Sequence, residues 1–349
     1  MPERQVERRL LAVITAWWLA AYGFLSAASP AMPHRLLDPI LARAWPHWPG
    51  ALVLLACGWG LHVVLCLRQS RADPMLLPLV TLLVGIGWLE VLRLQPQLAL
   101  RQAAWVAAGT VCFILWLRLV RDYRPLQDYR YGLLALAVGL QLLVMIFGVE
   151  INGARLWIRV GPLSFQPVEV IKVLLVLYLA SYLRDYRELL SVGFLRGRLV
   201  AVRYLVPLVA LVAACEAIFA KQKDLGVGLL FFGVFILMFF VATRRFDFVL
   251  LGLLSFGLLS ALCYHLFWHV RVRFMAWSDP WPGADSWGFQ IVQALYALAS
   301  GGITGTGLGA GQPWQIPEVH TDFIFVALTE ELGLVGAGAI IVVYLLLAQ

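Results

Sequence analysis

Ten apolar runs divide this sequence: Leu10 to Ala28, Ala51 to Leu67, Met75 to Leu92, Ala103 to Leu119, Tyr131 to Phe147, Val168 to Leu183, Tyr204 to Ala220, Leu225 to Ala242, Phe248 to Phe267 and Phe323 to Leu347. A hydrocarbon layer about 30 Å thick takes roughly 20 helical residues at ~1.5 Å each, and most of these runs approach that length. With 62% hydrophobic and only 13% charged residues, the chain falls well below the ~25% charge of soluble domains. The expectation is an all-α polytopic membrane protein with about ten transmembrane helices. Fourteen Trp and eleven Tyr suit the aromatic belts of a bilayer protein.

The net charge of +7 does not point to nucleic acid, because the basic residues are scattered between apolar runs and form no stripe on one element. They read as topology signals. With the N-terminus in the cytoplasm, most arginines fall on the cytoplasmic side, among them Arg8, Arg9, Arg121, Arg124, Arg187 and Arg244. The basic N-terminus leads into a first transmembrane helix and not a cleaved signal peptide, since a further span follows. Two long segments then lie outside, Gly148 to Pro167 and Trp268 to Asp322. Cys57, Cys66, Cys112, Cys215 and Cys263 all fall within apolar runs without metal-ligand spacing, so they are expected to be buried thiols.

The second outer segment is too long for a plain connector. Its run Phe289 to Leu298 is amphipathic and suits an interfacial helix. The tract from Gly301 to Gly311 has neither the Lys-Ser/Thr of a phosphate-binding loop nor a preceding strand. It reads as backbone folding closely over something, or as flexible loop.

Beyond it come Glu318, His320, Asp322, Glu330 and Glu331, where a polar loop turns into an apolar helix. Ionisable groups at the mouth of a span are costly and mark a functional site by default. Asp322 is the first candidate. The alternative is a cap, with Thr321 or Asp322 closing the N-terminus of a helix that begins at Phe323. In the first outer segment, Pro167 is placed to open a helix on which Glu169 and Lys172 stand three apart and can pair. Lys172 and Asp322 enter from the same face at matching depth, so they are candidates to share a cavity, with Glu216 and Asp224 nearby. His265 and His269 have a metal-like spacing but no third ligand in register, and read as a solvated helix end.

The runs Asn152-Gly153-Ala154-Arg155-Leu156-Trp157-Ile158, Phe165-Gln166-Pro167-Val168-Glu169-Val170-Ile171-Lys172, Asp224-Leu225-Gly226 and His320-Thr321-Asp322-Phe323-Ile324-Phe325 resemble the SEDS (shape, elongation, division and sporulation) family of RodA, FtsW and SpoVE. The motifs keep the family's order and spacing from about Met75 onward. Departures are Val168 before the glutamate, and Lys223 and Val227 flanking the Asp-Leu-Gly. The resemblance implies that residues 1–67 are two extra N-terminal helices. It also implies that residues 68–349 are a family core truncated at its C-terminal end, lacking two helices.

Further, the resemblance implies a multi-pass glycosyltransferase of the bacterial cytoplasmic membrane that polymerises lipid II into glycan strands. Its implied partner is a class B penicillin-binding protein that crosslinks them. Carried over by motif, Asp322 resembles the catalytic carboxylate. Trp157, Glu169 and Lys172 match other functional positions, and Glu318 a loop acid linked to activation. His320 and Glu330 stand within the same motif region.

A sugar hydroxyl needs a base, for which Asp322 suits. A departing diphosphate needs positive charge, from Lys172, Arg155 or a divalent cation such as Mg2+ or Mn2+, and glycine-tract amides can approach phosphates. A lipid II flippase is the rival reading, since helices with buried charges also suit transporters. Against it stand the absence of a visible internal repeat and the clustering of charges at the outer face.

Overall fold

A computed structural model describes residues 2–28, 48–68, 72–120, 122, 124–151, 154–161, 163–191, 198–222 and 224–349. Each expected span corresponds to a helix: α1 (Pro2–Ala28), α2 (Trp48–Leu67), α3 (Leu76–Leu94), α4 (Pro96–Leu119), α5 (Arg130–Phe147), α6 (Val168–Ser191), α7 (Arg198–Lys221), α8 (Leu225–Thr243), α9 (Phe246–Leu266) and, later, α13 (Ile324–Ala348). The shorter α10 (Trp268–Ser278), α11 (Phe289–Gly301) and α12 (Val319–Asp322) fall between α9 and α13. Among the described residues, eight helices are long and apolar enough to cross a membrane. This is a multi-pass membrane protein.

Helix α6 is held by packing more than by composition. It carries Glu169, Lys172, Arg184, Asp185, Arg187 and Glu188, yet Ile171, Leu175, Tyr178, Leu179 and Tyr182 form one buried stripe at helical spacing.

The helices gather into two compact units, Met1–Val120 with Trp268–Gln349, and Arg121–Phe267. In the first unit, small residues let backbones approach, as expected where lipid removes the hydrophobic drive between helices. A Cβ on Gly85 would lie 2.8 Å from the Trp18 ring, and one on Gly50 3.0 Å from Trp88. The two indoles spend their polar edges on backbone: Trp18 Nε1 donates to the Gly85 carbonyl at 3.0 Å and fully buried Trp88 to the Ala99 carbonyl at 2.8 Å. The first helices thereby brace α3 and α4.

Elsewhere in that unit, Glu7 is fully buried, paired with Arg4 and 2.7 Å from His62 Nδ1. A carboxylate in lipid needs such partners.

The second unit packs α5, α6, α7 and α8 around Leu175, Leu179, Leu208 and Phe231. Gln141 Nε2 donates to Gln222 Oε1 at 2.8 Å inside it. The segment from Gly148 to Pro167 adds something the all-α expectation omitted, an antiparallel meander of β1 (Val149–Ile151), β2 (Ala154–Val160) and β3 (Leu163–Phe165). The alternation of Arg155, Trp157 and Arg159 is its period-two signature.

The cysteines are free, as expected, but none is fully buried. Cys112 is exposed and the other four are half-buried. Apolar runs in a membrane protein face lipid as readily as protein, so an apolar neighbourhood in sequence did not imply burial.

Candidate active site

The site is built on a break in α13. Gly333 adopts φ 68°, ψ −174°, a conformation that glycine reaches without strain, and the helical ladder is interrupted there. A helix break leaves amides and carbonyls without intrahelical partners. The glycine tract takes them up. Thr306 and Gly307 amides donate to the Glu330 and Glu331 carbonyls, each at 3.0 Å. In return, Leu334 and Val335 amides donate to the Gly302 and Ile303 carbonyls at 3.0 and 3.2 Å. Close approach is what the glycines provide: a Cβ on Gly301 would lie 2.5 Å from the Thr329 carbonyl oxygen.

Two glutamate side chains continue the same contact. Glu331 Oε2 accepts from the Gly309 amide at 3.0 Å and its Oε1 from the Gly311 amide at 3.3 Å. Glu330 Oε1 accepts from the Gln312 amide at 2.8 Å and from Ser300 Oγ at 3.4 Å. Arg93, from α3, forms an ion pair with Glu331, lies 3.6 Å from Glu90 Oε1 and donates to the Gly311 carbonyl at 2.9 Å. Glu90, Glu330 and Glu331 are 2%, 4% and 1% exposed. Glu90 Oε1 and Glu330 Oε2 accept no hydrogen bond.

This corrects the flexible-loop reading of the glycine tract and upholds the other, that it folds closely over something. It also removes the Gly309 and Gly311 amides from the groups free to meet a phosphate. Glu331 belonged to the expected ionisable cluster, but Arg93 and Glu90 were missing from it. Their signal was present in the sequence, as charges within or beside apolar runs.

From Gln312 the chain runs through a 3-10 turn at Pro313–Gln315 to α12. Buried Ile316 and Val319 anchor it against Ala294, Ala297 and Ala327, and Gln290 Nε2 holds the Pro317 carbonyl at 2.8 Å. Glu318 takes the left-handed conformation, φ 50°, ψ 33°. That costs a residue with a Cβ about 1–2 kcal/mol, a strain that persists where surroundings impose it. The Asp322 amide closes the turn on the Glu318 carbonyl at 3.0 Å, and Thr321 Oγ1 donates to the same carbonyl at 3.0 Å.

Asp322 is therefore the last residue of a one-turn helix and not the cap of the long one. Phe323 occupies the N-cap position of α13, which begins at Ile324, and no side chain caps it. Thr321 makes its side-chain bond backwards. The Asp322 side chain is exposed, and among the described residues it accepts no hydrogen bond. Glu318 is also exposed and His320 half-buried on the same turn.

Glu169, Lys172, Arg155 and Trp157 belong to the other unit. Pro167 directly precedes α6, as expected, and Lys172 Nζ lies 2.9 Å from Glu169 Oε2. The side chains are 24% and 59% exposed, so this is a solvated pair. Trp157, on β2, pairs in register with Val149, and Arg155 with Glu150. Asn152, Gly153 and the Arg155 side chain lie outside the described residues. Asp224 is spent locally, capping α8 through the Val227 amide at 3.2 Å.

Together these features define a polytopic membrane protein with an exposed carboxylate at Asp322 and, in the same unit, a glycine tract held by buried ions. The family profile described as "Cell cycle protein", for FtsW, RodA and SpoVE, matches residues 76–349. The chain belongs to the FtsW/RodA/SpoVE family.

It is 38% identical over 297 residues to the peptidoglycan glycosyltransferase RodA of Mycobacterium leprae, covering 81% of this chain and 63% of that one. It is 31% identical to stage V sporulation protein E of Bacillus subtilis, with 79% and 77% covered. A solved chain from work on structural coordination of polymerization and crosslinking by a peptidoglycan synthase complex shares 27% identity at a TM-score of 0.51. That likeness covers 86% of this chain and 75% of the solved one. The chain thus spans about two thirds of the length of the RodA relatives it matches.

Proposed function

We propose that this protein is a peptidoglycan glycosyltransferase of the bacterial cytoplasmic membrane that polymerises lipid II into glycan strands for elongation or division, with Asp322 as general base. The observation that carries the reading is the exposed Asp322 carboxylate, which accepts no hydrogen bond among the described residues, on a turn anchored by buried Ile316 and Val319. Relatives named as peptidoglycan glycosyltransferases support the reaction class.

The sugar 4-hydroxyl of one lipid-linked disaccharide attacks the anomeric carbon of another. The new C–O bond forms as the bond to the diphosphate breaks, and its electron pair leaves with the lipid diphosphate. Asp322 accepts the hydroxyl proton, a contribution worth typically 10²–10⁴ in rate. A single direct displacement inverts the centre, so an α-linked donor gives a β-linked product. Lys172 and Arg155 are the candidates for meeting the diphosphate charge. Among the described residues no three His, Cys, Asp or Glu side chains gather into a metal site.

The proposed partner is a class B penicillin-binding protein, supported by the likeness to a chain from a complex that couples polymerization to crosslinking. Residues 1–67 are proposed as an addition to the family core, consistent with a profile match that begins at residue 76.

Two measurements test this reading. Full-length protein in nanodiscs is expected to convert labelled lipid II into a ladder of glycan polymer. Translocation of the lipid across vesicles without polymer would favour a flippase instead. For orientation, a cysteine placed at Gln127 is expected to react with impermeant maleimide only from the cytoplasm, and one at Asp285 only from outside. Labelling of both from one side overturns the topology.

A further inference from the structure

We propose that Glu331 and Arg93 are positioning residues for Asp322. On this view the carboxylate of Glu331, neutralised by Arg93, clamps the glycine tract and so sets the register of the turn that presents Asp322. The inference rests on the polymerase reading above.

The clamp reaches that turn along the backbone and through packing, since Leu94, beside Arg93, packs against the cluster of Ile316 and Val319. Gln312, whose amide sits on Glu330, is followed by the 3-10 turn, by buried Ile316 and by the left-handed Glu318. The segment therefore has a fixed point at each end of a short stretch. Glu331 holds one through Gly309 and Gly311, and the pocket of Ala294, Ala297 and Ala327 holds the other.

Arg93 closes the arrangement in two directions, pairing with Glu331 while donating to the Gly311 carbonyl 218 residues away in sequence. Glu331 presents one oxygen to each of two amides, an acceptor-only pattern that suits a carboxylate, and the Arg93 guanidinium supplies the countercharge. A reacting carboxylate misplaced by about 1 Å loses on the order of 10²-fold in rate. A catalytic turn on an outer loop therefore needs such a brace.

The test uses a charge-neutral change beside a charge change. Gly311→Val adds carbons where even a Cβ would meet Glu330 Cδ at 3.0 Å and Glu331 Cγ at 3.2 Å, pushing the tract off its carboxylates. Glu331→Gln removes the charge and leaves a single acceptor oxygen. Full-length variants are compared by amide hydrogen exchange over residues 305–322 and by lipid II polymerisation kinetics. Both variants are expected to exchange the 309–312 amides at least tenfold faster and to lose roughly tenfold or more in kcat, with KM within about threefold.

Faster exchange with unchanged kcat overturns the positioning role. Exchange already fast in the wild type overturns the clamp, whatever polymer is made. A wild type that shows slow exchange and makes no polymer overturns the functional reading instead, and the positioning role with it. If Glu331→Gln fails to fold, Gly311→Val decides the question alone.

Discussion

Asp322→Asn is expected to lower glycan polymerisation by about 10² or more while leaving the protein folded and able to bind lipid II. The structure sharpens this test. Had Asp322 capped the long helix, asparagine would replace it at little cost, since the two rank together as caps. The Asp322 side chain caps nothing, so the substitution removes no hydrogen bond among the described residues. Its backbone amide, which closes the turn on Glu318, is untouched. What asparagine loses is the charge and the basicity, which are what a general base supplies. Well-folded Asp322→Asn with near-normal polymerisation would remove Asp322 from the chemistry. Glu318, exposed on the same turn, would be the next candidate.

The second large effect concerns stability. Replacing Arg93 with methionine is expected to destabilise the protein by about 3–5 kcal/mol, seen as a midpoint several degrees lower in a thermal melt in detergent, with less protein recovered. Breaking a buried ion pair costs more than never having had one, because the surviving partner keeps its charge without compensation. Here two partners survive, Glu331 in direct contact and Glu90 at 3.6 Å, both almost wholly buried.

The same reasoning gives the control. The double variant Arg93→Met with Glu331→Gln is expected to recover more than half of the loss, although its kcat stays low. A single Arg93→Met variant that melts with the wild type would show that the Arg93 ion pairs contribute nothing to the fold. Glu330→Gln is expected to be milder, since an amide oxygen still accepts from Gln312.

Legibility differed from element to element for physical reasons. The spans could be read because length and apolarity are local properties that a bilayer tests one segment at a time. The Glu169–Lys172 pair could be read because positions three apart on a helix are neighbours by geometry. The meander between Gly148 and Pro167 was missed because two of its strands are only three residues long, leaving the alternation in the seven-residue β2 as its one signal. The cap alternative at Asp322 fails because an acid before an apolar run is also how a one-turn helix ends when the chain turns into the next. Only the φ of −128° at Phe323 separates the two helices.

The sequence by itself determined that this chain lives in a membrane, where its helices lie, and which carboxylate stands at the mouth of α13. Those follow from composition and from spacing within single segments. Tertiary structure alone decided what the glycine tract is for and where the buried charges find each other. Arg93 reaches Gly311 and Glu331 across more than two hundred residues, and a helix broken at Gly333 offers carbonyls and amides that only a loop without side chains can approach. Periodicity has no reach over that distance. Burial supplies it, because a charge withdrawn from water must be met by whatever part of the chain is near.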